Sequence, residues 1–415
     1  TATPGVTPTA TVAATQLTGY KSFLEKAKAG ETIKVAFLGG SITAGASYAN
    51  WGTSHTFTGT NIDGTAVDTT QYWSYKDDMR DSWRGRVFTW LKTTYETKTD
   101  QFVQINAAIG GTDSTFGALR LEDHVFAQGI PDLIFIEFAV NDNGKSQKEM
   151  MQSYESIVNR VLEKNPDCAI FIALSTSRQK SDRANPAAYD LFLTSAGYAK
   201  NYANYRKIPH ANIDDAYYHS DLTATQMTAL YIGPQDDAGV HPSPYGYEIY
   251  AAEVIRVLEG CFADLSFTFE DIHLAVPAAY PENGKIIFGE DILSVMPGSK
   301  AVALTDDSRQ HKCLSYHKML QNTDVTQQLT YSFQGTGLWL WTDSTYCNAI
   351  MDVYVDDIKV LSFWSQSAGQ QIKFVKGYLK KDVVHTVRIV SIGTTDSSQQ
   401  YSFALRGLVI ENYTE

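Results

Sequence analysis

Four positions in this sequence have the residue types and settings that acyl transfer needs. Ser41 closes the run Lys34-Val35-Ala36-Phe37-Leu38-Gly39-Gly40. A serine placed where an apolar run stops at two glycines can present its hydroxyl as a nucleophile. Glycine lets the chain turn sharply there and leaves neighbouring N–H groups uncovered. Gly110-Gly111 follow a second apolar run and Asn141 a third. Backbone amides and a carboxamide are neutral donors suited to an oxyanion that develops on a carbonyl. His241, between a polar loop and Pro242, offers an imidazole that can take and return a proton. Singly, each has an ordinary use: Ser41 as a helix cap, Gly-Gly and Asn141-Asp142 as turns, His241 as a surface residue. Their placement at the ends of separate segments points to a site.

Positioning these residues requires one sheet edge. Lys34–Leu38, Phe102–Ala108, Asp132–Ala139, Cys168–Leu174 and Ala211–Ile213 read as strands. The near-continuous run DLIFIEFA has the composition of a central parallel strand buried on both faces. Helices are expected over Tyr20–Ala29, Arg84–Lys98, Phe116–Gln128, Ser146–Lys164, Pro186–Tyr205 and Ser243–Glu259. Strand and helix alternate, which predicts an α/β unit over 17–260: a three-layer α/β/α parallel sheet. In such sheets sites lie at the carboxyl ends of the strands. Residues 46–82 lack a clean period but carry Tyr48, Trp51, His55, Tyr72, Trp73 and Tyr75, with Trp83 at their end. A long aromatic-rich loop directly after Ser41 is expected to wall the site, with Trp51, Trp73 and Trp83 as substrate contacts. After Gly260 helical periodicity stops. Short alternating runs such as QLTYSFQG, GLWLWT and MDVYVDD predict an all-β jelly-roll or β-sandwich domain over 261–415.

The chain has 415 residues and a formal net charge of −12. That charge argues against nucleic acid or an anionic membrane as partner, since both call for a basic face. Residues 1–16, TATPGVTPTATVAATQ, read as a Thr/Pro-rich linker. With many Thr, Ser, Tyr and Gly, this is the composition expected of a secreted protein. Neither an initiator Met nor a signal peptide is seen, so a mature or trimmed chain is expected. Cys168, Cys261, Cys313 and Cys347 are too scattered for a zinc site or disulfide framework, although Cys313 and Cys347 could pair.

In order and spacing, the site residues resemble the SGNH (GDSL-type) hydrolase family. Gly39-Gly40-Ser41-Ile42-Thr43 matches its first block. Asn106-Ala107-Ala108-Ile109-Gly110-Gly111 matches the second, Ala139-Val140-Asn141-Asp142 the third, and Ala238-Gly239-Val240-His241 the last. The resemblance covers about residues 33–260. It implies Ser41 as nucleophile, His241 as base, and the N–H groups of Ser41 and Gly111 with the Asn141 amide as oxyanion donors. No metal or cofactor is implied. Two departures stand out. Ala139 replaces a glycine, and Ala238 occupies the position of the family's acid. Asp237, and more weakly Asp236, could serve instead, or a backbone carbonyl could orient His241 in a Ser–His dyad.

The later domain resembles jelly-roll modules that accompany carbohydrate esterases. Trp339 and Trp341 share a sheet face and would either stack on sugar rings or lie in a core; Tyr346, Trp364 and Tyr378 carry the same ambiguity. The combination implies a secreted carbohydrate esterase that deacetylates plant polysaccharide such as xylan or mannan. The alternatives are a short-chain lipase or thioesterase on the same fold, or a carbohydrate-binding protein with an inactive hydrolase domain.

Overall fold

The structure, a computed structural model, describes residues 15–45, 82–177, 186–218, 222–223, 230–231 and 240–265. It further describes 267–414 apart from 273, 276, 290, 293–299, 303–318, 323–327, 344–348, 365–369 and 395–402. The first unit alternates helix and strand in the order α1 Thr15–Ala29, β1 Ile33–Gly39, α2 Ser41–Ala44, α3 Trp83–Tyr95 and β2 Phe102–Ala108. Then come α4 Ser114–Leu119, α5 Leu121–His124, β3 Leu133–Glu137, α6 Gln147–Lys164 and β4 Ala169–Leu174. It closes with α7 Pro186–Arg206, β5 His210–Asn212, α8 Ile213–Tyr218 and α9 Pro244–Asp264.

The five strands pair in parallel in the order β2-β1-β3-β4-β5. Side-chain alternation divides them between two cores. Val35, Phe37, Phe135 and Phe171 pack with Phe23 of α1, Val87 of α3 and Val254 of α9. Ala36, Leu38, Ile134 and Ile136 pack on the other face with Ile157 of α6 and Tyr202 of α7. The expected three-layer α/β/α architecture is therefore present, with the carboxyl ends of β1, β2 and β3 adjacent in register.

The segment expected as one helix over 116–128 is broken into α4, α5 and a short 3-10 turn, Phe126–Gln128. The break falls at Arg120, which is fully buried. Its guanidinium donates to the carbonyls of Ala107 and of Gly39, the latter at 3.0 Å. Satisfying two strand-end carbonyls turns this residue inward and interrupts the helical ladder. Trp83, expected to line the substrate loop, is corrected to a core residue. It opens α3, is fully buried, stacks on Tyr250 at 5.0 Å and meets Phe37 and Phe135 edge-on.

Among the described residues the second unit has ten strands: β6 Gly284–Phe288, β7 Lys300–Val302, β8 Met319–Asn322, β9 Gln328–Phe333, β10 Gly337–Asp343, β11 Ala349–Val355, β12 Ile358–Trp364, β13 Gln370–Lys376, β14 His385–Thr394 and β15 Phe403–Glu411. One antiparallel sheet runs β13-β10-β15-β8-β7, with β6 also on β15; the other runs β12-β11-β14-β9. Leu338, Leu340 and Leu408 of the first sheet meet Val353, Val387 and Ile389 of the second in one core, so the two form a sandwich.

A further apolar cluster joins the two units. Ile109, Phe116 and Leu119 pack against Ile286, Phe288, Trp339, Trp341 and Val409. Trp341 lies 5.1 Å from Phe116 and 6.0 Å, edge-on, from His124. The paired tryptophans of β10 thus face the α/β unit. The connection between the units also lies along α6, where the Tyr280 N–H donates to the Gln152 carbonyl at 3.2 Å.

Candidate active site

Ser41 begins α2, the single helical turn that follows β1. Gly40 precedes it in an extended conformation, and the Ala44 N–H donates back to the Gly40 carbonyl at 3.0 Å. Gly45 closes the turn with a φ of 86°. The hydroxyl of Ser41 therefore sits on a short, tightly closed turn at the strand end. Its Oγ is 2.8 Å from Nε2 of His241, a residue 200 positions later in the chain.

His241 is held from both sides. Tyr231 and Pro242 form an isolated antiparallel bridge, and the Ser243 N–H donates to the Leu230 carbonyl at 2.8 Å. Ser243 then caps α9, its hydroxyl accepting from the Gly246 N–H at 3.1 Å, and Pro244 supplies a first helical residue that needs no N–H partner. The imidazole is thereby fixed to the start of a 21-residue helix.

The other two landmarks converge on Gly40. A Cβ built there would lie 3.0 Å from Cγ of Asn141, closer still to its Oδ1, and 3.5 Å from the Thr112 carbonyl oxygen. Only glycine leaves room for that approach. The Oδ1 of half-buried Asn141 is its buried end, which leaves Nδ2 as the outward-facing donor. Gly111 occupies the left-handed region with φ 71° in a turn closed by the Thr112 hydroxyl, which donates to the Ile109 carbonyl at 2.7 Å. Gly111 itself is exposed.

Beneath these groups lies a polar layer that the sequence reading missed. Glu137, the last residue of β3, is fully buried. It accepts a hydrogen bond from Thr43 of α2 at 2.7 Å and another from Ser175 past the end of β4. Ser175 in turn accepts from the Val140 N–H at 3.2 Å. One carboxyl thus ties the serine turn to the Asn141 turn. Burial raises its pKa above the ordinary carboxylate value, against the opposing pull of those two hydroxyl donors. Buried Arg84 of α3 donates from Nε to the Thr43 carbonyl at 3.1 Å, bracing the same turn. A charged residue inside the apolar strand DLIFIEFA was the available signal for Glu137, because burial of such a group demands partners.

Asp142, adjacent to Asn141, is also fully buried. Its Oδ1 accepts from both the N–H and the hydroxyl of Ser114, at 3.0 and 2.9 Å, and lies 3.4 Å from Lys145 Nζ. Burial pushes its pKa up to about 6 despite Lys145 nearby. It joins the Asn141 turn to the start of α4, just after Gly111.

The structure therefore brings Ser41 and His241 into hydrogen-bond contact and gathers the Asn141 and 109–112 turns around Gly40. Asp237 and Asp236, with Trp51 and Trp73, lie outside the described residues, as do Cys313, Cys347 and Tyr346. Among the described residues no group of three or more His, Cys, Asp or Glu could hold a metal ion. A hydroxyl paired with an imidazole, beside an exposed glycine turn and a half-buried carboxamide, can carry out nucleophilic attack on an ester carbonyl.

Residues 37–249 match the model of the GDSL-like lipase/acylhydrolase family. The chain belongs to this family. Two structures of a two-domain esterase active on acetylated mannans resemble the whole GDSL-like chain, each at 19% identity. One, co-crystallized with mannopentaose, covers 97% of this chain and of its own with a TM-score of 0.63. The other covers 96% of each with a TM-score of 0.65. At that identity the likeness establishes a shared two-domain fold. Comparison with curated proteins finds no match. By family this GDSL-like protein is an esterase, and the matched segment contains Ser41, Gly111, Asn141 and His241.

Proposed function

We propose that this protein is a secreted carbohydrate esterase that removes O-acetyl groups from plant polysaccharide of the xylan or mannan type by serine catalysis. The observation that carries the reading is the 2.8 Å contact between Ser41 Oγ and His241 Nε2 at the sheet edge. In this reading His241 takes the hydroxyl proton as Ser41 Oγ attacks the acetyl carbonyl. The negative charge moves to the carbonyl oxygen, where the N–H groups of Ser41 and Gly111 and Nδ2 of Asn141 receive it. Donors already fixed in place need little reorganisation as that charge develops. Collapse breaks the bond to the sugar oxygen, which leaves with the proton from His241. Water, deprotonated by the same imidazole, then attacks the acetyl-enzyme and frees acetate and Ser41.

The group that accepts the Nδ1–H hydrogen bond of His241 is proposed from the sequence, with Asp236 or a backbone carbonyl as the alternatives. Asp237, just before the departed family position at Ala238, would hold Nδ1 of His241 and stabilise the imidazolium. The carbohydrate substrate is supported by the whole-chain fold likeness to a two-domain esterase active on acetylated mannans.

Acetate release from acetylated glucomannan and acetylated xylan, compared with hydrolysis of p-nitrophenyl octanoate, tests the substrate class. Acetylated polysaccharide is expected to be the better substrate, and Ser41→Ala is expected to lose several powers of ten in kcat with its fold intact. Faster cleavage of the octanoyl ester would favour a lipase, and an active, folded Ser41→Ala protein would remove the serine mechanism.

A further inference from the structure

Glu137 is a fully buried carboxyl that no step of the proposed reaction uses. The four residues before it, Leu133 to Ile136, are apolar and buried. An apolar side chain would fit the same strand end at less cost in desolvation, so the carboxyl calls for an explanation.

Its neighbours supply one. Glu137 pairs in register with Gly39 of β1. A Cβ on Gly39 would lie 2.7 Å from the Glu137 carbonyl oxygen and from Thr43 Cβ, and closer still to Thr43 Oγ1. Because Gly39 has no side chain, α2 folds back until Thr43, two residues after Ser41, lies over the end of β3. There the Thr43 hydroxyl donates to Oε2 of Glu137 at 2.7 Å. The other oxygen, Oε1, accepts from the Ser175 hydroxyl. Ser175 also accepts from the N–H of Val140, the residue before Asn141, at 3.2 Å. The two oxygens of one side chain thus serve two turns that are distant in sequence.

Each of those turns has its own closure. In the serine turn the Ala44 N–H donates to the Gly40 carbonyl at 3.0 Å, and Arg84 Nε to the Thr43 carbonyl at 3.1 Å. In the Asn141 turn the Asp142 N–H donates to the Phe138 carbonyl at 2.8 Å, and Asn143 Nδ2 to the Val140 carbonyl at 2.7 Å. Neither turn depends on Glu137 for its shape. What Glu137 adds is the placement of one relative to the other.

We propose that Glu137 is a positioning residue for the reaction: through Thr43 and Ser175 it sets the Ser41 hydroxyl and the Asn141 carboxamide to meet the same carbonyl group. The inference rests on the serine esterase reading above. The requirement is a side chain that bonds both hydroxyls, not a negative charge. Glutamine meets it, because its carbonyl can accept from Ser175 while its amide donates to Thr43, whose hydroxyl can turn to accept. Methionine, of similar length, offers neither bond.

Kinetics on p-nitrophenyl acetate test the role. Glu137→Met is expected to lower kcat about 10²-fold with KM within about two-fold, the effect of a misplacement near 1 Å, and Glu137→Gln to keep kcat within about five-fold. Thr43→Val and Ser175→Ala each remove one link and are expected to lower kcat about ten-fold. The Asn141→Ala background separates the two branches. Ser175→Ala acts through Asn141 and should cost nothing further there, whereas Thr43→Val acts through Ser41 and should keep its ten-fold loss. A residue that only stabilised the fold would give the same loss in both backgrounds. Should Glu137→Met not fold, the two hydroxyl variants and their Asn141→Ala pairs decide alone. Wild-type kcat in Glu137→Met, a Glu137→Gln enzyme as slow as Glu137→Met, or an equal loss from Ser175→Ala with and without Asn141 would overturn the role. In each of those cases an inactive Ser41→Ala protein leaves the serine esterase reading standing. An active, folded Ser41→Ala protein rejects that reading and the role of Glu137 with it.

Discussion

The close approach at Gly40 allows the Asn141 role to be tested without touching Asn141. In Gly40→Ala the new methyl would lie 3.0 Å from Asn141 Cγ and nearer to its Oδ1. Comfortable contact is about 3.5–4.0 Å, so the carboxamide must retreat by on the order of 1 Å. The next neighbour, the Thr112 carbonyl at 3.5 Å, is at ordinary contact distance and need not move. Gly40 has φ −90° and ψ −152°, an extended conformation open to alanine, so backbone strain adds little. Stability should therefore change by about 1 kcal/mol or less. Catalysis should not be so tolerant. A displacement of about 1 Å can cost roughly 10² in rate, and removal of one oxyanion donor costs about 10²–10³. We expect Gly40→Ala to lower kcat on p-nitrophenyl acetate about 10²-fold with KM little changed, and Asn141→Ala to do as much or more. The double variant should be no slower than Asn141→Ala, because both changes remove one interaction. Additive losses, or a Gly40→Ala enzyme with wild-type kcat, would refute the reasoning.

Three other perturbations probe different parts of the structure. Asp237→Ala is expected to lower kcat by up to about 10⁴ if its carboxylate holds His241; near-wild-type kcat in both Asp237→Ala and Asp236→Ala would leave a Ser41–His241 dyad instead. Asp142 titrates near 6 when folded because it is buried, above its ordinary 3.8. The folded state thus holds this proton more tightly, a stabilisation full below pH 3.8 and lost as pH rises through 6, on the order of 3 kcal/mol. Asp142→Asn should therefore gain stability relative to wild type between pH 4 and 7 in urea titrations, and parallel pH profiles would exclude the effect. Trp341→Ala opens the interdomain cluster at a residue only 4% exposed and should cost about 3–5 kcal/mol, read as a lower Tm. An unchanged Tm would mean that the cluster contributes little to stability.

The sheet and the strand-end positions of the candidate site residues were legible because the same physics fixes both. Buried parallel strands are apolar throughout, and each must end in a turn, so Ser41, Gly111 and Asn141 announce themselves where the apolar runs stop. His241 was legible from its place before Pro242 and a well-capped helix. Trp83 was misread because it adjoins a polar aromatic stretch. Its true setting was present as the spacing Trp83, Val87, Leu91, the buried stripe of α3. The break at Arg120 was not legible, since periodicity along 116–128 says nothing about carbonyls at two distant strand ends. Glu137 was hidden by its neighbours: in an apolar run one acid looks incidental until Thr43 and Ser175 are seen to reach it. For Trp339 and Trp341, alternation placed both on one sheet face, but the surface that covers them belongs to another domain.

That covering surface constrains how the two halves of the chain can change. Ile109 opens the turn that carries Gly111, Phe116 lies in the helix after it, and both are packed under β10 of the sandwich. The second domain is thus part of the scaffold of the Gly111 turn and cannot be exchanged as an independent cassette. A larger residue at 116 would require a smaller one at 341, and a foreign sandwich joined at the same point would leave the turn without its apolar support. Cutting the chain between Asp264 and Gly284 would uncover Ile109, Phe116 and Leu119 together. The resulting defect would appear in turnover of even the smallest ester, where no second domain is needed to hold substrate.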